Sequence, residues 1–287
     1  MNSWFIAPYA NNEFMRLSLL AGILVSTLCA VAGTFVVLRG LAFIGDALAH
    51  GVLPGVAGAL LLGAPGMLGA AVGSGVMIIG VGFITNRSRL SSDTAIGLLF
   101  VAMLALGVIM VSRSDSFNGD IVRILFGEIL GIRPGTIVIL AMATLVISVG
   151  VAVLYRPFLL LSFDALQADA SGFSSRRYHV VMLAMVATTV VVSFQAVGTL
   201  LVFGMLVAPA GAGALLARRV TAMIAWAISI GAVSVYIGLL LSYHYDLAAG
   251  ATVVFVTVCT FFIIFAIQLI RQSWAKVVST GAGAGAT

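Results

Sequence analysis

Apolar stretches of about 20 residues follow one another along almost the whole chain, separated by short links that carry most of its arginines. Such runs leave few ways to fold. In hydrocarbon no water can satisfy a peptide N–H or C=O, so each stretch must close its own hydrogen bonds as an α-helix. Length and hydropathy place spans at about 14–38, 42–63, 66–84, 94–112, 134–155, 178–196, 198–217, 222–242 and 248–270. The expected fold class is an all-α polytopic membrane protein with about nine transmembrane helices. Composition agrees, because 62% of the 287 residues are hydrophobic and only 8% charged, against about 25% charged in a soluble domain. Residues 1–278 read as one transmembrane domain, and the small-residue stretch 279–287, with nothing to bury, as a disordered tail.

Two segments break this rhythm. Asp120–Gly131 is too short to cross as a helix and holds Arg123 and Glu128, so it reads as a short re-entrant helix buried in protein. Between Arg156 and Tyr178 a helix-like core ends at Gly172, which predicts a helix outside the membrane between two spans, either a surface linker or a docking element. With the N-terminus outside, the inner links collect Arg39, Arg87, Arg89, Arg156, Arg176, Arg177, Arg218, Arg219, Arg271 and Lys276, while Arg16, Arg113, Arg123 and Arg133 stay outside. That bias favours a cytoplasmic C-terminus. The net charge of +5 reports this orientation and anionic headgroups rather than nucleic acid. Trp4, Phe5, Tyr9 and Phe14 read as an interfacial anchor at the outer face, and Asp93 as the cap of the fourth span.

Within the second span stand an acid and an imidazole, Asp46 and His50, four residues apart and so on one helix face. An ionisable group at the centre of a span costs about 2.5–3.5 kcal/mol on insertion scales and marks function by default. The plainer alternative is that the two only hydrogen-bond each other or a neighbouring helix. Absent motifs narrow the chemistry. Lys276 is the only lysine and follows no glycine-rich loop, so the chain cannot hydrolyse ATP through a P-loop; no histidine is followed by Glu, which removes the commonest zinc-protease motif. Cys29 and Cys259 lie in apolar stretches and behave as small hydrophobes. No covalently bound cofactor is expected.

The stretch Phe35-Val-Val-Leu-Arg-Gly-Leu-Ala-Phe-Ile-Gly-Asp-Ala-Leu-Ala-His-Gly-Val-Leu-Pro-Gly55 resembles the signature region of the manganese and zinc permease family of binding-protein-dependent ABC importers. The likeness continues in Asp93-Thr-Ala-Ile-Gly97, Leu125-Phe-Gly127, the loop from Ser162 through Ala168 to Gly172, and Val192-Ser-Phe-Gln-Ala-Val-Gly-Thr-Leu-Leu-Val202. It departs at Glu128, where a small or uncharged residue is expected. The resemblance implies an ABC importer permease in the bacterial cytoplasmic membrane that moves Mn or Zn inward. It implies a second permease copy in a homodimer, separate ATPase subunits that use ATP, and an extracytoplasmic metal-binding protein as partners. It further implies that Asp46 and His50 line the metal pathway and that Asp164, Ala168 and Gly172 belong to a cytoplasmic coupling helix seated on the ATPase.

The chemistry of the residues is compatible with that. A first-row divalent ion takes roughly four to six ligands, and one chain offers two. A second copy would double the set to mixed oxygen and nitrogen ligation suited to Mn, Zn or Fe(II), and Glu128 would add a carboxylate near the entrance. A stand-alone secondary transporter or channel for a divalent cation, with Asp46 and Glu128 carrying coupling ions, is the other reading.

Overall fold

The computed structural model describes residues 2–112 and 129–283. It consists of α1 (Asn2–Asn11), α2 (Glu13–Leu38), α3 (Ala42–Leu61), α4 (Gly66–Arg87), α5 (Ser92–Ser112), a 3-10 turn (Ile129–Gly131), α6 (Pro134–Val153), α7 (Tyr155–Phe163), α8 (Ala165–Ala170), α9 (Ser175–Leu216), α10 (Val220–Tyr245) and α11 (Ala249–Gly283). Among the described residues no strand occurs, and nine stretches are long and apolar enough to cross a membrane, each within a few residues of its expected place. The segment 120–131 read as re-entrant, with Arg123 and Glu128, lies outside the described residues apart from its last three, which form the 3-10 turn with Ile129 buried. α11 takes in residues 279–283 of the stretch read as a tail, and 284–287 lie outside the described residues.

The sixth and seventh spans form one continuous run, α9, of 42 residues. At about 1.5 Å per residue that is twice the thickness of a hydrocarbon core, so the run has to turn back. It does so at Gly198, whose φ of 78° and ψ of 165° belong to a region only glycine occupies readily. The neighbours show the reversal. His179, early in α9, lines a cavity with Arg39 at the end of α2, and further along Val202 accepts from the Cys29 thiol of α2 at 3.9 Å. Beyond that, a Cβ on Gly33 of α2 would run into the Leu206 carbonyl, so the second arm of α9 travels alongside α2 back toward Arg39. Such a break is tolerated at membrane depth only inside protein. Ser193, Phe194, Ala196, Val197 and Thr199 are all buried.

α2 is the hub. It packs against both α9 and α10, and 72% of its most apolar window is buried, against 17% for α5 and 11% for α11, which lie at the periphery. α10 runs antiparallel to α2, with Val235 against Gly22 and Gly231 against Ser26. At the opposite end from Arg39 the N-terminal aromatics lie on or beside a short helix, α1, strapped to the end of α10. Tyr9 donates to the Tyr236 carbonyl at 2.8 Å, Tyr236 donates back to Phe5 at 3.0 Å, and Trp4 stacks on His244 at 4.0 Å. A second departure concerns the start of α5. Ser91 is its cap, its hydroxyl accepting from the Thr94 N–H at 3.2 Å, whereas Asp93 sits in the first turn, where its charge favours the positive helix end.

α3 and α4 approach backbone to backbone. A Cβ on Gly55 would strike the Gly69 carbonyl, and one on Gly69 would strike the Gly55 carbonyl, so both positions need glycine. Gly55→Leu should cost about 1–3 kcal/mol by overpacking and lower the apparent melting temperature of the purified protein by several degrees. Gly75→Ala, which meets nothing within 4 Å, should leave it unchanged; equal behaviour of the two variants would contradict this packing.

Candidate functional site

Asp46 and His50 occupy the second and third turns of α3, between helical faces that are otherwise buried: Ala47, Leu48 and Ala49 are covered, as is Val52. Gly45 lets the Leu206 side chain of α9 pack directly against the helix beside Asp46. The two functional side chains keep 31% and 25% of their surface, a half-open setting inside a span. The edge of the His50 ring meets Phe100 of α5 with centroids 5.2 Å apart, which fixes one side of the imidazole.

His50 Nδ1 stands 3.1 Å from the Asp46 carbonyl and 3.3 Å from its Oδ1. Two acceptors at one ring nitrogen select the tautomer with the proton on Nδ1. That leaves the Nε2 lone pair free, the arrangement in which a neutral imidazole binds a metal while its other nitrogen is held by an acceptor. The expected mutual hydrogen bond therefore exists and does not consume the ligating atoms, since Asp46 keeps its second carboxylate oxygen. Pro54, four residues on, has no N–H, so the His50 carbonyl lacks its usual helical donor. That main-chain oxygen was legible in the His-x-x-x-Pro spacing and is easily passed over. Among the described residues no third His, Cys, Asp or Glu joins the pair. Among the described residues, this stretch of α3 thus offers two side chains whose chemistry suits a metal.

The segment between the fifth and sixth spans is built as two short helices with a corner. Asp164 separates α7 from α8 and caps α8, its carboxylate accepting from the N–H groups of Leu166 at 2.8 Å and Gln167 at 3.2 Å. Gly172, at φ +84°, closes α8 in a Schellman turn: the Phe173 N–H reaches the Ala168 carbonyl and the Gly172 N–H that of Asp169, both at 3.0 Å. Asp169 then accepts from the backbone N–H of Ser175 at 2.7 Å and from its hydroxyl at 2.8 Å, which ties α8 to the start of α9 and holds its carboxyl below the ordinary range. Ala168 is buried at 1% exposure, whereas Phe163 and Leu166 stand 71% and 81% exposed. Two large apolar side chains offered to the outside on a braced corner suit a docking element better than a linker. Ala165 of this corner and Ile44 of α3, two residues before Asp46, line the same cavity.

The sequence profile described as the ABC 3 transport family matches residues 11–268. The manganese transport system membrane protein MntC of Listeria innocua is 40% identical over 262 residues, covering 91% of this chain and 93% of its own. The manganese import system permease protein ScaB of Streptococcus gordonii is 33% identical over 261 residues, covering 91% and 94%. Among solved structures, PsaBC from Streptococcus pneumoniae in complex with Fab superposes with a TM-score of 0.83 at 33% identity, over 92% of this chain and 95% of that one.

The capping geometry carries its own expectation. Asp164→Ala should speed hydrogen exchange at the Leu166 and Gln167 amides several-fold while leaving the amides of α2 protected, as read by exchange mass spectrometry. The Asp169 brace should persist at neutral pH. Because its folded value lies below the unfolded one, its contribution is present above the ordinary carboxylate range and is lost only as pH falls through the lowered value.

Proposed function

The chain belongs to the ABC 3 transport family, and from that premise we propose that it is the membrane permease of an ATP-binding cassette importer that carries a divalent metal ion, Mn in the first place, into the cell. Nine apolar crossings among the described residues support a multi-pass protein of the cell membrane, and permease subunits of this family are not themselves catalytic. The observation that carries the reading is the Asp46–His50 pair: two metal-competent side chains, half-open inside a span, with no third ligand beside them among the described residues. Two copies of the chain related by a twofold axis would bring together two carboxylates and two imidazoles. Mixed oxygen and nitrogen donors without thiolate accept Mn, Zn or Fe(II) and are poor for Cu(I). Such a shell is also weak enough to release its ion, which transport demands. The manganese named for the relatives from Listeria innocua and Streptococcus gordonii puts Mn ahead of Zn.

ATP hydrolysis belongs to a separate partner chain. Its docking point is the corner around Asp164, α8 and Gly172, with Phe163 and Leu166 as the apolar anchors and Ala168 holding α8 from within. Motion at that corner has a short route to the site, because Ala165 and Ile44 share a cavity wall. The ends of the helices bearing Arg39, Arg87 and Arg176 face the cytoplasm, the N-terminus lies outside, and a metal-binding protein delivers the ion there.

Reconstitution with an ATPase subunit and a metal-binding protein tests this directly. Asp46→Ala and His50→Ala each remove two ligands of a shared four and should reduce Mn uptake to background, with assembly and the melting temperature unchanged. Near-normal uptake by both variants would reject the shared site. Leu166→Asp should release the ATPase while leaving the permease folded. Ion flux through the chain alone in liposomes, independent of ATP, would instead make it a stand-alone transporter or channel.

A further inference from the structure

Where α2 and α4 end and α9 begins, a cavity of about 690 Å³ opens at the Arg39 end of the bundle. Its wall along the spans is apolar, with Ile78, Phe83 and Leu183 among the lining residues. Its rim is basic: Arg39, Arg87 and Arg176 bring guanidiniums there from three separate elements, and the His179 imidazole stands among them. Among the described residues the only ion pair is that of His50 with Asp46, so no carboxylate of the described residues neutralises these guanidiniums. Arg39 Nη1 and His179 Nδ1 are in addition fully covered and without a hydrogen-bond partner among the described residues. A buried donor left in that condition is costly, and more so when charged, so it calls for an acceptor that the surrounding protein does not supply. Arg87 is held at the mouth, 6.0 Å over the Phe83 ring.

We propose that this cavity binds the phosphate ester of an anionic membrane lipid. Arg39 and Arg176 take the phosphate in their planar forks, His179 completes the donor set, and an acyl chain follows the apolar wall into the bundle. Phosphate fits because it offers several acceptor oxygens to guanidiniums that can only donate and to the N–H of an imidazole. A lipid fits better than a free ion on two counts. The cations stand at the ends of three spans, the level of headgroups, and basic pockets between transmembrane helices are known takers of anionic headgroups. The apolar wall leads outward to Ile79 and Phe83, which are 72% and 64% exposed and give an acyl chain a continuous path. Several cations around one phosphate favour a lipid with net negative charge over one that brings its own ammonium. This inference rests on the membrane-spanning reading and on no step of metal transport.

The full-length chain, purified in detergent and stripped of lipid, is titrated with phosphatidylglycerol, phosphatidylcholine or inorganic phosphate and followed by native mass spectrometry and thermal unfolding. Phosphatidylglycerol should be retained about tenfold better than phosphatidylcholine, and Arg39→Gln and Arg176→Gln should each erase most of that preference. Arg176 is exposed, so its substitution tests the site even if Arg39→Gln folds poorly. Inorganic phosphate that binds as well as phosphatidylglycerol and needs the same arginines would keep the phosphate chemistry and overturn the lipid as its source. Equal retention of the two lipids, or retention untouched by both substitutions, overturns the site. If Arg176→Gln leaves lipid binding intact but loses the ATPase partner, the rim is a protein-docking surface and the proposal falls. Neither metal nor ATP enters the lipid assay, so its failure leaves the transport reading standing and the reverse holds too.

Discussion

Everything in this fold answers to one constraint: a backbone polar group inside a bilayer must find its partner within the protein. Helices meet it along their length, and the difficult places are the breaks. The reversal at Gly198 is such a break, and it survives because Ser193, Phe194, Ala196, Val197 and Thr199 are sealed around it and because glycine alone adopts φ 78° and ψ 165° cheaply. The bend returns the second arm of α9 to α2 so closely that Gly33 can carry no side chain beside Leu206. α3, which bears the metal-competent pair, packs against this α9 arm through Gly45 and against α4 through Gly55 and Gly69. The position of the pair is thus inherited from backbone contacts that small residues make possible.

On that scaffold the pair solves an electrostatic problem. A carboxylate and an imidazole one turn apart give each other partial satisfaction while no ion is bound, which lowers the cost of keeping them in a span. The same contact orients the ring and leaves Nε2 outside it, so one interaction would serve both stability and the proposed ligation. Its incompleteness matters as well. In the proposed function two ligands would hold an ion poorly, and release would be coupled to the separation or approach of two copies if each contributed half.

The end of the bundle that carries the arginines concentrates the remaining chemistry. The corner at Asp164 is rigid by construction, with a cap at its start, a Schellman turn at its finish and the Asp169–Ser175 brace beyond, yet it displays Phe163 and Leu166 to the outside. In the proposed function, such a braced element with exposed apolar side chains would pass on a push from a docked partner without absorbing it. The cavity behind it is bordered both by this corner and by the first turn of α3, so that a lipid phosphate held among Arg39, Arg176 and His179 would sit next to the moving parts.

The sequence by itself determined the nine spans, their order and the Asp46–His50 pair, because apolar length and helical spacing are local properties that packing does not alter. It also located the corner between the fifth and sixth spans through Gly172, whose need for a positive φ is local too. Local signals misled where several residues compete for one role, as at the start of α5, where Ser91 rather than Asp93 makes the cap. Tertiary structure alone decided that Ala168 faces inward while Leu166 faces out, that Phe100 flanks His50, and that three arginines from three elements meet around one cavity. These depend on which helices become neighbours. That is set by backbone contacts such as those of Gly33 with Leu206 and Gly55 with Gly69, between residues distant in the chain or across a turn, which no single stretch of sequence encodes.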